Sequence, residues 1–185
     1  MLAYQRGAEG AFEQIYERYE RRMYNFLLRL SGDPDRARDL FQTAFLTLHR
    51  HRGRYRPTGR FSSWFFKIAA NVARDEFRRA GRRREIPLEP GGPDAEWPGK
   101  ERLTRQADQD ARVEGEELAE QLRTAVMALP PGQRVVILLS RYEEMSYSEI
   151  GRVLRISANA VKQRAFEGLR SLGKRLSGYS RYSRS

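Results

Sequence analysis

FSSWFFKIAANVARDEFRR, running from Phe61 to Arg79, contains neither Pro nor Gly. Apolar residues recur at Phe61, Phe65, Ile68, Ala69 and Val72, offsets that keep one face of a helix apolar. At about 100° per residue, Lys67, Asn71, Arg74 and Arg78 fall on the opposite face. Three cations and one amide therefore form a stripe, with Trp64 at its border. Phe66, Ala73 and Phe77 make a second apolar edge. Just upstream lies a very basic loop, Arg52-Gly-Arg54-Tyr-Arg56-Pro-Thr-Gly-Arg60. Cations beside aromatic rings suit phosphates and unstacked bases, because phosphate needs charge and a base needs a flat ring to stack on. The same pattern also fits a solvated helix face above an aromatic core, so the rest of the chain has to decide.

Upstream, Ala11 to Leu30 has helical spacing at Phe12, Ile15, Tyr19, Met23, Phe26, Leu27 and Leu30. Gly32-Asp33-Pro34 ends it. Asp33 can cap a second helix with Pro34 at its first position, where the missing amide is not needed. That helix, Pro34 to about His51, has an inward stripe of Ala37, Leu40, Phe41, Ala44 and Leu48. Its outer face carries Asp39, Gln42, Thr43, Leu46 and Arg50. Leu46 is apolar among polar neighbours, which fits a protein contact, although single exposed leucines are common.

Downstream, residues 85–112 hold four prolines and a Gly-Gly pair and read as a flexible linker. Within it, Trp97 stands out as an aromatic able to dock on a module or a partner. Helical spacing returns from Val113 to Leu129 and is stopped by Pro130-Pro131. A short helix spans Gln133 to Tyr142. Ser146 and Glu149 make a capping box. The helix they start points Ile150, Val153 and Leu154 inward. A tight turn is centred on Arg155-Ile156, and Ser157 caps a last helix. That helix turns Val161, Ala165, Leu169 and Leu172 inward, and Asn159, Lys162, Gln163, Phe166 and Arg170 outward. The pattern is that of a helix-turn-helix. Asn and Gln pair with adenine edges, Arg with guanine, and Lys with phosphate or guanine.

Composition agrees. Residues 1–84 carry 19 cations and 9 anions, residues 85–129 carry 5 and 11, and residues 130–185 carry 11 and 4. Two basic blocks flanking an acidic one suit two nucleic-acid-binding modules and a connector. The absence of cysteine excludes disulfides and thiolate-bound zinc. The first residues lack the apolar core of a signal peptide, and no run approaches the roughly 20 apolar residues of a membrane span. A cytoplasmic protein without membrane insertion is expected. No phosphate-cradling Gly loop, HExxH or nucleophile elbow is present. His49 and His51, the two histidines, lie two apart and diverge on a helix. Neither an enzyme nor a cofactor site is expected.

Three segments together resemble a bacterial sigma factor of the extracytoplasmic-function group in the sigma-70 family. They are DRARDLFQTAFLTLHR (Asp35–Arg50), FSSWFFKIAANVARDEFRR, and LPPGQRVVILLSRYEEMSYSEIGRVLRISANAVKQRAFEGLRSL (Leu129–Leu172). The resemblance implies an all-α chain of two small helical domains, 1–84 and 113–185, joined by the linker 85–112. It implies core RNA polymerase and promoter DNA as partners, and it allows an anti-sigma factor. Asp39, Gln42 and Leu46 then match the grip on the clamp helices of the largest subunit. Val136 and Leu139 match the docking site for the flap of the second-largest subunit. Arg54, Arg56, Arg60, Trp64, Lys67, Asn71, Arg74 and Arg78 match the part that reads and opens the downstream promoter element. Ser157, Asn159, Lys162, Gln163, Phe166 and Arg170 match the reader of the upstream element. The chain departs from the family pattern at Thr43, where a glutamate is usual. It departs at Arg155, where the turn usually has glycine, so an arginine has to accept a left-handed backbone. It departs again at Phe166-Glu167, where basic residues are frequent. The competing reading is a helix-turn-helix regulator that does not act as a polymerase subunit.

Overall fold

The computed structural model describes residues 1–83 and 114–179, all helix, turn and loop. The linker segment and Trp97 lie outside the described residues, as does Arg84. The first module holds α1 (Leu2–Gln5), α2 (Ala11–Ser31), α3 (Pro34–His51), a 3₁₀ turn (Arg52–Arg54) and α4 (Phe61–Arg83). The second holds α5 (Glu114–Met127), α6 (Pro131–Arg141), α7 (Tyr147–Leu154) and α8 (Ala158–Tyr179). The short α1 is one element that periodicity does not signal.

Local chemistry sets most boundaries. Gly32 ends α2 in a left-handed conformation that glycine adopts without a Cβ penalty. Asp33 then caps α3, its carboxylate accepting from the Asp35 and Arg36 amides at 2.9 and 3.1 Å. Pro34 sits at the first turn as expected. Helices α2, α3 and α4 pack together. Phe26, Phe65, Phe66, Met23, Leu27 and Leu48 are fully buried between them. The rings meet edge to face, as Phe26 with Phe66 (5.2 Å) and Phe45 with Phe65 (5.0 Å), the geometry that ring quadrupoles favour.

The two modules also touch. Helix α2 packs on α5 and α6, and α4 packs on α7. At the joint, Arg134 of α6 donates to the carbonyls of Leu30 (2.9 Å) and Leu129 (3.1 Å) and to that of Met127. Leu30 and Met127 are at the carboxyl ends of α2 and α5, where unpaired carbonyls gather partial negative charge. Burial lowers the guanidinium's pKa, and its Nε is buried without a partner. Tyr142 adds its ring to Arg29 of α2, 4.4 Å from the guanidinium carbon.

A second fastening is ionic. Arg22 of α2 donates to Glu143 at 2.8 Å, across 121 residues of chain. Glu143 is only 7% exposed. Burial raises its carboxyl pKa to about 7, and the Arg22 charge and hydrogen bond only partly oppose that rise. Arg29 also lowers it, and Glu144 raises it. An acid with a raised native pKa keeps its proton in the native state where the unfolded chain has lost it. The native state then binds more protons, so this group's contribution falls as pH rises. Stability is expected to decline between the ordinary carboxyl value of 4.5 and about 7, and Glu143→Gln should flatten that part of the profile. Thermal melts across pH read this directly; identical profiles for both proteins would remove Glu143 as the cause.

Candidate nucleic-acid and polymerase interfaces

The helix-turn-helix forms as expected. The Ser146 hydroxyl accepts from the Glu149 amide, and the Glu149 carboxylate accepts from the Ser146 amide at 2.9 Å. The bond from the Ser146 amide, then the one from its hydroxyl, hold the Glu149 carboxyl below the usual range. Helix α7 ends at Arg155 with φ 57° and ψ 47°, a left-handed backbone carrying a full side chain. Sequence reasoning missed the tightness of this turn at Gly151. A Cβ there would lie 2.8 Å from the Ile156 carbonyl oxygen, so α7 carries glycine where the chain doubles back. The Ser157 hydroxyl accepts from the Ala160 amide at 3.1 Å and caps α8.

On α8, Val161, Ala165 and Leu172 are buried. Leu169 is not: it is 38% exposed, contrary to the expected inner face. Gly168 takes the inward place instead, with Ile137 Cγ1 only 3.1 Å from where its Cβ would be. A hydropathy wheel gives no inward weight to glycine, so it chose the wrong neighbour. The outer row is as expected: Ser157, Asn159, Lys162, Gln163, Phe166 and Arg170 are all exposed, Phe166 at 65%. The Gln163 amide donates to Glu167 at 3.1 Å, which fixes its side chain along the helix.

The stripe on α4 is uneven. Arg74 and Arg78 are exposed, whereas Lys67 and Asn71 are half-buried. Arg74 donates to the Asn71 side-chain oxygen at 2.9 Å, so the two act as one polar unit. Trp64 is half-buried, its ring 5.2 Å from Tyr55 and 6.0 Å from Phe61. Packing holds it at the edge of the aromatic core. Ser63 donates to Glu149 at 3.0 Å, which ties the start of α4 to the capping box of α7. In the loop, Arg54, Arg56 and Arg60 are exposed while Tyr55 points inward at 6% exposure.

On α3 the expected outer face is open. Asp39, Gln42 and Leu46 are all exposed, Leu46 at 56%. The pair expected on the second module is placed differently. Val136 and Leu139 have no exposed surface. Helix α6 lies between α8 and α2, so its apolar run is covered from both modules. Among the described residues, no group of His, Asp or Glu side chains is arranged to hold a metal ion.

Two helical modules, one with an aromatic-basic helix and one with a helix-turn-helix, each present exposed cations and amides of the kind that suits nucleic acid. Comparison with known proteins agrees. The family described as Sigma-70 region 2 matches residues 15–83, and Sigma-70, region 4 matches residues 119–172. The RNA polymerase sigma factor CarQ of Myxococcus xanthus is 34% identical over 172 residues, covering 93% of this chain and 92% of its own. The ECF RNA polymerase sigma factor SigW of Bacillus subtilis is 30% identical over 179 residues, covering 92% and 91%. In fold, the chain is similar to the sigma factor RpoE of Bartonella quintana, solved with the anti-sigma factor NepR. That similarity has a TM-score of 0.69 at 18% identity, over 91% of this chain and 98% of that one. The chain belongs to the sigma-70 family of RNA polymerase sigma factors, in its extracytoplasmic-function group. It directs RNA polymerase to promoters. A regulator acting apart from the polymerase is not favoured, because the similarity runs through both modules.

The turn yields a paired expectation. Gly151→Ala should destabilise the protein by about 1–3 kcal/mol, because backbone has to move to admit the methyl group. Arg155→Gly should stabilise it by about 1 kcal/mol, by relieving the left-handed penalty. Chemical denaturation compares the three proteins, and shifts of the same sign would mean the turn is not strained as described.

Proposed function

We propose that three faces divide the work of initiation. The α3 face of Asp39, Gln42 and Leu46 grips the clamp helices of the polymerase's largest subunit. The loop residues Arg54, Arg56 and Arg60, with Trp64, Lys67, Asn71, Arg74 and Arg78, engage the downstream element and the melted non-template strand. The α8 row from Ser157 to Arg170 reads the upstream element in the major groove. Val136 and Leu139 lie near the flap-docking surface and become available to a partner only when the contact of α6 with α2 opens. The protein acts in the cytoplasm, catalyses no reaction itself, and is open to an anti-sigma partner. RpoE, solved with NepR, and CnrH, solved with the cytosolic domain of CnrY, motivate that last role through likeness of fold.

The observation that carries the proposal is Leu46. The buried apolar residues of α3, from Ala37 to Leu48, are each at most 6% exposed, while Leu46 stands at 56%. Leaving a leucine in water forgoes burial worth about 1.5–3 kcal/mol, which a partner surface can recover. Leu46→Arg is expected to weaken core-polymerase binding by about 2 kcal/mol or more, as for a central interface residue, with helical content unchanged. A pull-down showing equal binding would mean that α3 faces solvent in the complex.

Strand opening is a separate test. Asn71→Ala and Arg74→Ala should leave core binding near wild type and lower open-complex formation on duplex promoter. The defect should shrink on a pre-melted bubble, where the unstacking cost of a few kcal/mol is already met. Permanganate footprinting compares the templates; equal thymine reactivity on duplex for all three proteins would make the stripe structural.

A further inference from the structure

The basic loop is held from below by the short N-terminal helix, which the proposed roles leave unused. Gly7 and Gly10 both adopt positive φ, 77° and 70°, and turn the chain back so that α1 lies against the 3₁₀ turn. The Gln5 side-chain amide donates to the Arg52 carbonyl at 2.5 Å and to the Tyr55 carbonyl at 3.0 Å. These two carbonyls bracket the 3₁₀ turn. The Tyr4 hydroxyl shares a 2.5 Å hydrogen bond with His49 Nδ1, close to the end of α3. On the inner side, Tyr55 packs against Phe61 at 5.7 Å and Trp64 at 5.2 Å. The turn is thus pinned between an aromatic core and one amide group.

Arg56 shares this arrangement. Its guanidinium folds back onto the Gly53 carbonyl at 3.1 Å and onto the same Tyr55 carbonyl at 3.2 Å. A carbonyl that loses its last partner away from water is costly to leave unpaired. Because Gln5 also serves the Tyr55 carbonyl, Arg56 can leave that oxygen for a phosphate without stranding it. We infer that Gln5 is a positioning residue for promoter melting: it fixes the Arg52–Arg54 turn and frees Arg56 for the DNA backbone. The inference rests on the reading of this loop as a DNA-binding element.

Salt dependence is the measurement that a merely structural role would not move. For a single strand, the slope of log affinity against log salt falls by about 0.7 for each phosphate that is no longer neutralised. Gln5→Met keeps length and volume, removes no charge and deletes both donors. The polymerase holoenzyme carrying it is titrated on a bubble promoter fragment across a salt series, beside Arg54→Ala, Arg56→Ala and wild type. The expected result is a lower slope for Gln5→Met, close to that of Arg56→Ala, and affinity at low salt about three- to ten-fold weaker, the effect of one or two hydrogen bonds. Core binding and melting temperature should stay near wild type. Gln5→Ala is the second variant should Gln5→Met fold poorly. A wild-type slope for Gln5→Met beside a reduced slope for the arginine variants would overturn the positioning role alone. Wild-type slopes for all variants would remove the loop from the DNA, and this inference with it.

Discussion

Two helices from opposite parts of the chain end on one guanidinium. Arg134 takes the carbonyls left over at the ends of α2 and α5, together with that of Leu129. Without it, three backbone oxygens in a half-buried joint would lack a donor, and each unpaired oxygen costs on the order of 1–3 kcal/mol. The rest of the arrangement follows from this meeting point. Met127 covers Gly32 so closely that a Cβ there would collide with its side chain. Helix α6 is trapped between α8 and α2, and α7 is brought against α4. The helix-turn-helix and the aromatic-basic helix are therefore held in one arrangement, although they belong to separate modules.

The aromatic core does comparable work inside the first module. Phe61, Phe65 and Phe66 on α4 meet Tyr19 and Phe26 on α2 and Phe45 on α3. These ring pairs fix how α4 is rotated about its axis. That rotation sends Arg74 and Arg78 outward and leaves Trp64 at the rim, beside Tyr55. Packing and proposed DNA binding thus share the same helix, and Trp64 stands on the boundary between them.

The features legible in the sequence are those that depend on near neighbours. The Asp33 cap, the Ser146–Glu149 box, the Ser157 cap and the left-handed Arg155 are all set within four residues, and the residue types announce them. The outward rows on α3 and α8 follow from periodicity. The contacts that periodicity could not supply join distant residues: Arg22 with Glu143, Ser63 with Glu149, and Gln5 with the loop. A polar side chain looks the same in a sequence whether it faces water or a partner far along the chain. Glycine hid two further facts. Gly168 displaced Leu169 from the inner face, and Gly151 marked a backbone approach that hydropathy does not register. Val136 and Leu139 are apolar, which suits a docking surface and a core alike, and a stripe does not tell how many surfaces will cover it.

The two fastenings of the joint differ in kind. The two terminal nitrogens of Arg134 are held by carbonyls, which have no proton to gain or lose and no net charge for salt to screen. Arg22–Glu143 joins a half-exposed cation to a buried carboxyl that titrates near neutrality. Solution conditions therefore act on one side of the joint and leave the other alone. A rise in pH through neutrality loosens the chain where Glu143 meets α2, while the helix ends stay gathered on Arg134, so the joint is chemically lopsided.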